Sequence, residues 1–189
     1  MRKIKTLIEL IIIVALSIII VSKISSDMNI GKINIRESIH NFMKSEQNQN
    51  ETYLSAIALN GGNSENTCVY FVSEALRRNN FDISLEVGNT VQLISLLQEK
   101  GWKIDKNYKN LRPGDICFTT DSMGNKNGRP SHTYIFMGWV EEGKYDYAYV
   151  CDNQANDYNN QIYHKRNIKS IDKANGVSKD AFSFFMKEA

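Results

Sequence analysis

The sequence predicts an α+β domain, with helices packed on an antiparallel sheet, behind an N-terminal membrane anchor. Helical periodicity dominates the first half of the chain, and aromatic and β-branched runs separated by turns dominate from Arg112 onward. The first 26 residues are basic and then apolar. Helices followed by a meander of strands are typical of an α+β domain rather than of repeated βαβ units.

The composition narrows the class of protein. The chain has 189 residues, of which 42% are hydrophobic and 23% charged, as in globular proteins. Its net charge of +2 provides no basic footprint for nucleic acid, which we exclude as a partner. Three widely spaced cysteines exclude a disulfide scaffold, and no Cys or His pair has chelate spacing, so neither a metal nor another cofactor is expected.

The N-terminus carries an export signal. A basic start over residues 1–5 precedes a mostly apolar stretch over residues 7–21, which predicts an uncleaved signal anchor over residues 1–26, with a cleaved signal peptide as the alternative. The excess of basic residues before the apolar stretch places the body outside the cell membrane as a single-pass protein, or secreted if the signal is cleaved. Residues 6–10 resemble the start of type IV prepilins, which makes a pseudopilin-like structural protein a further alternative. The Gly that precedes this motif in prepilins is absent here.

A stalk over residues 27–52 is predicted to link the anchor to the domain. Apolar residues recur at helical spacing between Ile35 and Met43 and predict a short amphipathic helix. Residues 44–52 are polar and predict a linker. The domain proper is then expected over residues 53–189, beginning with a short lead-in helix.

The elements of the domain follow from local patterns. Apolar residues three and four apart, such as Val69, Val72 and Leu76, predict helices, and aromatic or β-branched runs bounded by turns such as 112–115 and 141–144 predict strands. The predicted elements are a helix from about Thr67 to residue 78, a helix from Thr90 as N-cap to Gly101, strands over 116–119, 133–140, 145–152 and 161–168, and a closing helix over 178–186 that carries Phe182 and Phe185.

Cys68 and His132 are the candidates for chemistry. Cys68 lies in the first turn of its predicted helix, where the helix dipole favours a thiolate. Of the three histidines, His132 begins a strand after a polar loop over residues 121–130, where a side chain faces a cleft. His164 is expected on a strand surface, and His40 lies upstream of the domain. A thiolate next to an imidazole provides a nucleophile with its base.

A third polar group is expected to hold the imidazole of the base. Strand alternation places Asp152 and Gln154 on one face, and Cys151 and Asn153 on the other. We choose Asp152, because an anion best stabilises an imidazolium, with Asn153 as the alternative. Cys117 and Cys151 lie inside predicted strands and are expected to be small buried hydrophobic residues, with a disulfide between them as the alternative.

Three segments in order resemble the NlpC-type and CHAP-type cysteine amidohydrolases of bacterial cell walls, which are papain-like. The segments are CVYFVSEALRR (68–78), LRPGDICF (111–118) and SHTYIFMGW (131–139). The resemblance covers roughly residues 53–170. It implies a papain-like domain with Cys68 as nucleophile and His132 as general base and acid. Residues 150–154 depart from the third-position patterns of both families.

The resemblance implies a cysteine peptidase or amidase that cleaves an amide bond in peptidoglycan through Cys68, His132 and Asp152. The oxyanion donors are left unassigned, with the backbone N–H of Cys68 as one candidate. The alternatives are a catalytically inactive wall-binding or adaptor module of the same fold, and a thioester-forming transferase. The aromatic candidates for shaping the cleft with loop 121–130, most of which are expected to be ordinary strand residues, are Tyr134, Trp139, Tyr145, Tyr147 and Tyr158.

Overall fold

The computed structural model describes Ser17 and residues 34–188. The chain divides into two units, Met1–Asn34 and Ile35–Ala189, and every helix and strand described below belongs to the second. The predicted signal anchor over residues 1–26 lies outside the described residues except for Ser17. In the part of the chain that is described, no helix combines the length and the apolar character needed to cross a membrane.

Four α-helices come first in the described chain, ahead of the strands. The predicted helices around Cys68 and after Thr90 are both present, although Asn89 rather than Thr90 caps the latter by accepting a hydrogen bond from the backbone N–H of Gln92. Gly101 follows that helix with φ +88°, a conformation that ends helices readily when the residue is Gly. The helices are α1 (Ile35–Phe42), α2 (Glu46–Leu59), α3 (Cys68–Arg78) and α4 (Thr90–Glu99).

The polar linker predicted over residues 44–52 is wrong, because most of that segment forms the first half of α2. Ser45 caps the helix, and the amide of Gln49 donates to the carbonyl of Met43 at 2.8 Å. Thr52 is buried and its hydroxyl donates to the carbonyl of Asn48 at 2.7 Å. These polar side chains satisfy their own hydrogen bonds inside the fold, so the segment lacks an apolar period. The compact unit therefore begins at Ile35 rather than at residue 53.

We expect α1 to contribute substantially to the stability of this unit. Ile39 is completely buried in the same core as the apolar face of α3. Ile39→Ala should lower the free energy of unfolding by about 2–5 kcal/mol, since it removes buried methyl groups and leaves a cavity. Denaturant unfolding of the full-length protein, followed by circular dichroism, measures this change.

Leu54 is the matched control for Ile39, because it is an aliphatic residue on the neighbouring helix α2 and is 64% exposed. Leu54→Ala should change the free energy of unfolding by no more than about 0.5 kcal/mol. Equal effects of the two substitutions would show that α1 does not belong to the core.

The strands form one six-stranded antiparallel sheet and a separate two-stranded hairpin of β6 and β7. The order in the large sheet is β1-β8-β2-β3-β4-β5. The strands are β1 (Lys103–Asp105), β2 (Ile116–Thr119), β3 (Thr133–Glu141), β4 (Lys144–Cys151), β5 (Tyr163–Asn167), β6 (Asp172–Ala174), β7 (Val177–Lys179) and β8 (Phe182–Lys187). The predicted class, α+β with helices and an antiparallel sheet, is confirmed at this level.

The prediction of a closing helix over residues 178–186 is wrong, because that segment contributes to β7 and forms most of β8. Strand β8 lies between β1 and β2, with Phe184 opposite Phe118 and Phe185 opposite Cys117. Phe184 belongs to the core on the helix side of the sheet, and Phe182 and Phe185 belong to a second core. Because both faces of β8 are buried, the strand shows no alternation of polar and apolar residues.

The antiparallel order brings four strand ends to one edge of the sheet. The end of β2 lies beside the start of β3, and the end of β4 lies beside the starts of both β3 and β5. Helix α3 packs against β3. Residues just outside these strand ends, such as His132 and Asp152, therefore lie close together.

Candidate active site

Cys68 is the first residue of α3, and the turn before it is held in place by the end of β4. The Asn153 amide donates to the Thr67 hydroxyl at 2.9 Å, and that hydroxyl donates to the Ser64 carbonyl at 2.7 Å. Asn66 has φ +57°, a left-handed conformation that asparagine tolerates. The nucleophile candidate thus begins a helix whose approach is fixed by hydrogen bonds.

His132 lies directly before β3, and its backbone is paired with Thr119. The Thr119 N–H donates to the His132 carbonyl at 3.1 Å, and the His132 N–H donates to the Thr119 hydroxyl at 3.1 Å. The imidazole Nε2 lies 2.8 Å from Asp152 Oδ2. The ring stacks on the buried Tyr134, with centroids 6.2 Å apart. The backbone and the ring of His132 are therefore both held in position.

Asp152 follows β4 and is completely buried. Its Oδ1 accepts the backbone N–H of Gln154 at 2.8 Å, and Arg166 Nη1 lies 3.6 Å from its Oδ2. Burial raises the pKa of a carboxyl, but the charge that His164 carries in acid, the hydrogen bond with His132 and the charge of Arg166 outweigh it, so the pKa of Asp152 lies far below its ordinary value. The carboxyl is therefore an anion throughout the physiological range.

The Cys68 thiol and the His132 imidazole interact electrostatically, and each shifts the pKa of the other. Since His132 Nε2 contacts Asp152, Nδ1 is the ring nitrogen left for the thiol. Burial raises the pKa of Cys68, but the hydrogen bond and charge of His132 and the N–H groups of Thr133 and Val69 outweigh it and leave the pKa lowered. For His132, burial lowers the pKa, whereas Asp152 and Cys68 raise it by a larger amount. Both shifts favour the thiolate–imidazolium pair.

The other two cysteines have a different character. Cys117 and Cys151 are free thiols and are completely buried, so the disulfide alternative is wrong. Burial raises the pKa of both well above the ordinary thiol value, and neighbouring aspartates raise it further. Cys68 is thus the described cysteine with a lowered pKa.

The three predicted site residues Cys68, His132 and Asp152 are brought together, while their catalytic role remains a prediction. Asn153 and Gln154 do not contact the imidazole. Asn153 binds Thr67, and Gln154 accepts from Arg166 at 2.8 Å. The side chains beyond β4 follow the alternation expected of a strand, with Asp152 and Gln154 on the side of Arg166.

Sequence reasoning missed two residues behind Asp152. His164 was expected on a strand surface, but it is 3% exposed, and Arg166 is 2% exposed. Lys165 between them is exposed. The alternation of β5 indicates that His164 and Arg166 share one face of the strand, because two residues separated by one position point to the same face. Both side chains are polar, which is typical of a solvent-facing position, so their burial was not expected.

Two clefts meet at the Cys68 side chain. The larger, of about 490 Å³, is lined by residues of α3, the start of α4 and the loop before His132. The smaller, of about 180 Å³, is lined by His132 and the residues after β4. Asn66, Cys68 and Ser131 line both. A bound chain therefore has room next to Cys68 in either cleft.

The predicted loop over residues 121–130 does line the larger cleft, through Asp121, Ser122, Arg129 and Pro130. The five aromatic residues expected there line neither cleft. Their positions in the fold direct them elsewhere: Tyr134 is buried behind His132, Trp139 packs edge-on against Tyr145, and Tyr147 and Tyr158 line a separate recess. Most of the described residues that line the two clefts at Cys68 have polar side chains.

The described residues contain no group of three or more His, Cys, Asp or Glu side chains arranged to hold a metal ion. Comparisons with protein-family models, with curated proteins and with solved structures gave no match.

Proposed function

We propose that this protein is a cysteine hydrolase that cleaves an amide bond through Cys68, His132 and Asp152. The observation that carries the proposal is the position of His132, which is held between the Cys68 thiol and the buried Asp152 carboxylate where two clefts meet. A nucleophile, a base and a group that orients the base are the parts that acyl transfer requires.

The reaction follows from these positions. His132 Nδ1 takes the thiol proton, and the Cys68 sulfur attacks the amide carbon. The carbon–nitrogen bond then breaks, and the leaving amine takes the proton back from His132. Water, deprotonated by His132, attacks the thioester, so that a carboxylic acid leaves and the thiol is restored. Asp152 stabilises the imidazolium in both halves of the cycle.

The start of α3 provides the electrostatic stabilisation that this reaction needs. The first N–H groups of an α-helix have no partner within the helix, and the helix dipole is positive at that end. Cys68 is the first residue of α3, so its own N–H lies next to the sulfur that forms the tetrahedral intermediate. We infer that the Cys68 N–H donates to the oxyanion.

We propose that the substrate is peptidoglycan, on which the protein acts as an endopeptidase or an amidase. The three segments that resemble NlpC-type and CHAP-type enzymes support a papain-like domain. The basic and apolar N-terminal sequence supports a position outside the membrane, facing the wall. Two clefts that share Cys68 in their lining suit a polymer that extends past the cleaved bond.

The lowered pKa of Cys68 predicts a thiol that stays reactive in mild acid. Alkylation of the full-length protein by iodoacetamide, with peptide mapping, should show a Cys68 rate that falls much less between pH 8 and pH 6 than the rate of an ordinary thiol. An ordinary thiol, with a pKa of about 8.5, would slow by roughly 100-fold over that range. The thiolate is kept by the His132 imidazolium, so His132→Ala should restore ordinary behaviour.

Cys117 and Cys151 are internal controls in the same experiment, because both are completely buried and their pKa values are raised. A Cys68 that reacts no faster than these two would count against the hydrolase, and the inactive wall-binding module would then be favoured. Incubation with purified peptidoglycan, with mass spectrometry of the released fragments, tests the substrate and identifies the bond cleaved.

A further inference from the structure

His164, a residue that the proposed reaction does not use, contacts the site from behind Asp152. It lies in β5, opposite Val150 of β4, and its side chain is almost fully buried. Its ring stacks on Tyr158 with centroids 3.6 Å apart and planes inclined by 15°. This packing fixes the plane of the imidazole.

The tautomer of His164 follows from its hydrogen bond. Nδ1 lies 3.0 Å from the backbone carbonyl of Gln161. A carbonyl only accepts hydrogen bonds, so Nδ1 carries the proton. In the neutral ring Nε2 therefore has a bare lone pair.

Nε2 of His164 is a buried nitrogen that is left without a hydrogen bond in the described structure. It lies 3.8 Å from Asp152 Oδ1, while His132 Nε2 lies 2.8 Å from Asp152 Oδ2. The two histidines thus approach the two oxygens of one carboxylate. A bare Nε2 gives that carboxylate no donor, whereas a protonated Nε2 would direct an N–H toward Oδ1.

We propose that His164 is a positioning residue of the site, which shares Asp152 with His132 and weakens the Cys68–His132 pair when its Nε2 takes up a proton. The inference rests on the proposed function. Protonation forms one N–H bond with a proton from solvent and changes no other covalent bond. The new cation interacts with the Asp152 carboxylate, which then stabilises the His132 imidazolium less. The thiolate form of Cys68 is therefore less populated.

His164 borders a recess that is separate from the clefts at Cys68. The recess has a volume of about 400 Å³ and is not lined by Cys68 or His132. We infer that the proton reaches the buried Nε2 from this recess, which a substrate in the clefts at Cys68 leaves open. The protonation of His164 therefore responds to the pH of the surrounding medium and not to whether a substrate occupies the clefts at Cys68.

Charged and titratable groups face His164 from every element around it. They are Asp152 after β4, His132 before β3, Arg166 on β5 itself, Tyr158 and Asp157 on the short helix after β4, Asp172 on β6, and Lys179 on β7, which pairs with Asp157. Burial lowers the pKa of His164, and the Asp152 charge and the Gln161 hydrogen bond offset only part of that effect. The ring is therefore neutral at pH 7 and becomes charged in acid.

His164→Phe tests the proposal, since phenylalanine keeps a ring to stack on Tyr158 and has no nitrogen to protonate. Alkylation of Cys68 is measured between pH 7.5 and pH 5 in the full-length protein. At pH 7.5 wild type and variant should react alike. At pH 5 the wild type should be slower than the variant by about 3- to 10-fold, because the charged His164 lowers the pKa of His132 and so reduces the thiolate population.

The matched control is His40→Phe, which removes a histidine of α1 that does not contact Asp152. Its pH profile should be that of the wild type. A packing role for His164 would change the rate at all pH values and would not change the shape of the profile. Identical profiles for the wild type and the His164→Phe protein would overturn the proposal.

Nuclear magnetic resonance of the histidine rings tests the same inference in the wild-type protein, including the case in which His164→Phe does not fold. Two-bond ¹H–¹⁵N spectra should show protonated Nδ1 and bare Nε2 for His164 at pH 7.5, and the His132 ring should shift when His164 titrates. A protonated Nε2 at pH 7.5, or a His132 ring that does not respond, would refute the coupling.

This measurement separates the inference from the proposed function. Coupled histidines in a protein whose Cys68 is unreactive would refute the hydrolase alone. A reactive Cys68 with uncoupled histidines would refute only the role of His164.

Discussion

Cys68→Ala should abolish the release of fragments from purified peptidoglycan, with a loss of about 10⁴-fold or more in rate. The sulfur forms the bond to the substrate carbonyl, and no other described cysteine can replace it, because Cys117 and Cys151 are completely buried. The fold should be retained, since the substitution removes only the sulfur atom and Thr67 and Asn153 still hold the start of α3. Fragment release is measured by mass spectrometry and folding by circular dichroism.

Cys117→Ala is the control for this substitution. Cys117 lies in β2, and its thiol pKa is raised by burial. Its replacement should preserve fragment release and cost some stability through a small cavity. If the Cys68→Ala protein released fragments at the wild-type rate, the mechanism would be overturned, whatever the rate of the Cys117→Ala protein.

Asp152→Asn should lower the rate by about 10³- to 10⁴-fold, the size of loss that a wrong histidine tautomer causes in a catalytic triad. The Gln154 N–H requires an acceptor at the position of Oδ1. The asparagine oxygen must therefore occupy that position, and its NH₂ group then faces His132 Nε2. An imidazole that accepts at Nε2 carries its proton on Nδ1, where it no longer acts as a base toward Cys68.

Two readouts distinguish this tautomer effect from a general loss of structure. The histidine ¹⁵N spectrum should show the His132 proton moved to Nδ1, and Cys68 should lose its reactivity at pH 6. Asp146→Asn is the matched control, because Asp146 lies on β4 and pairs with the exposed Lys169. A fully active Asp152→Asn enzyme would contradict the role given to the carboxylate.

Local patterns were sufficient where periodicity, composition and turns agree with the element that forms. Helix α3 follows the helical period, β3 and β4 are runs rich in aromatic and β-branched residues, and the turn between the two strands is marked by Gly143 with φ +80°. These elements position Cys68, His132 and Asp152. The secondary-structure element that carries or adjoins each of these three residues was therefore predictable from the sequence.

Local patterns failed where burial departs from those periods. Helix α2 buries Gln49 and Thr52 through hydrogen bonds to the backbone, so it resembled a linker. Strand β8 is buried on both faces, and its Phe182 and Phe185 have helical spacing by coincidence. The polar pair His164 and Arg166 resembled a solvent-facing strand.

Local patterns predicted helices α3 and α4, strands β2 to β5, the cysteine at a helix start and the histidine that follows a polar loop. The contact of Asp152, rather than Asn153, with His132 and the position of His164 behind it depend on how distant segments pair. Periodicity describes which face of an element is apolar, whereas the partner of a buried polar group depends on which strand ends meet, and antiparallel pairing far apart in the chain sets that meeting.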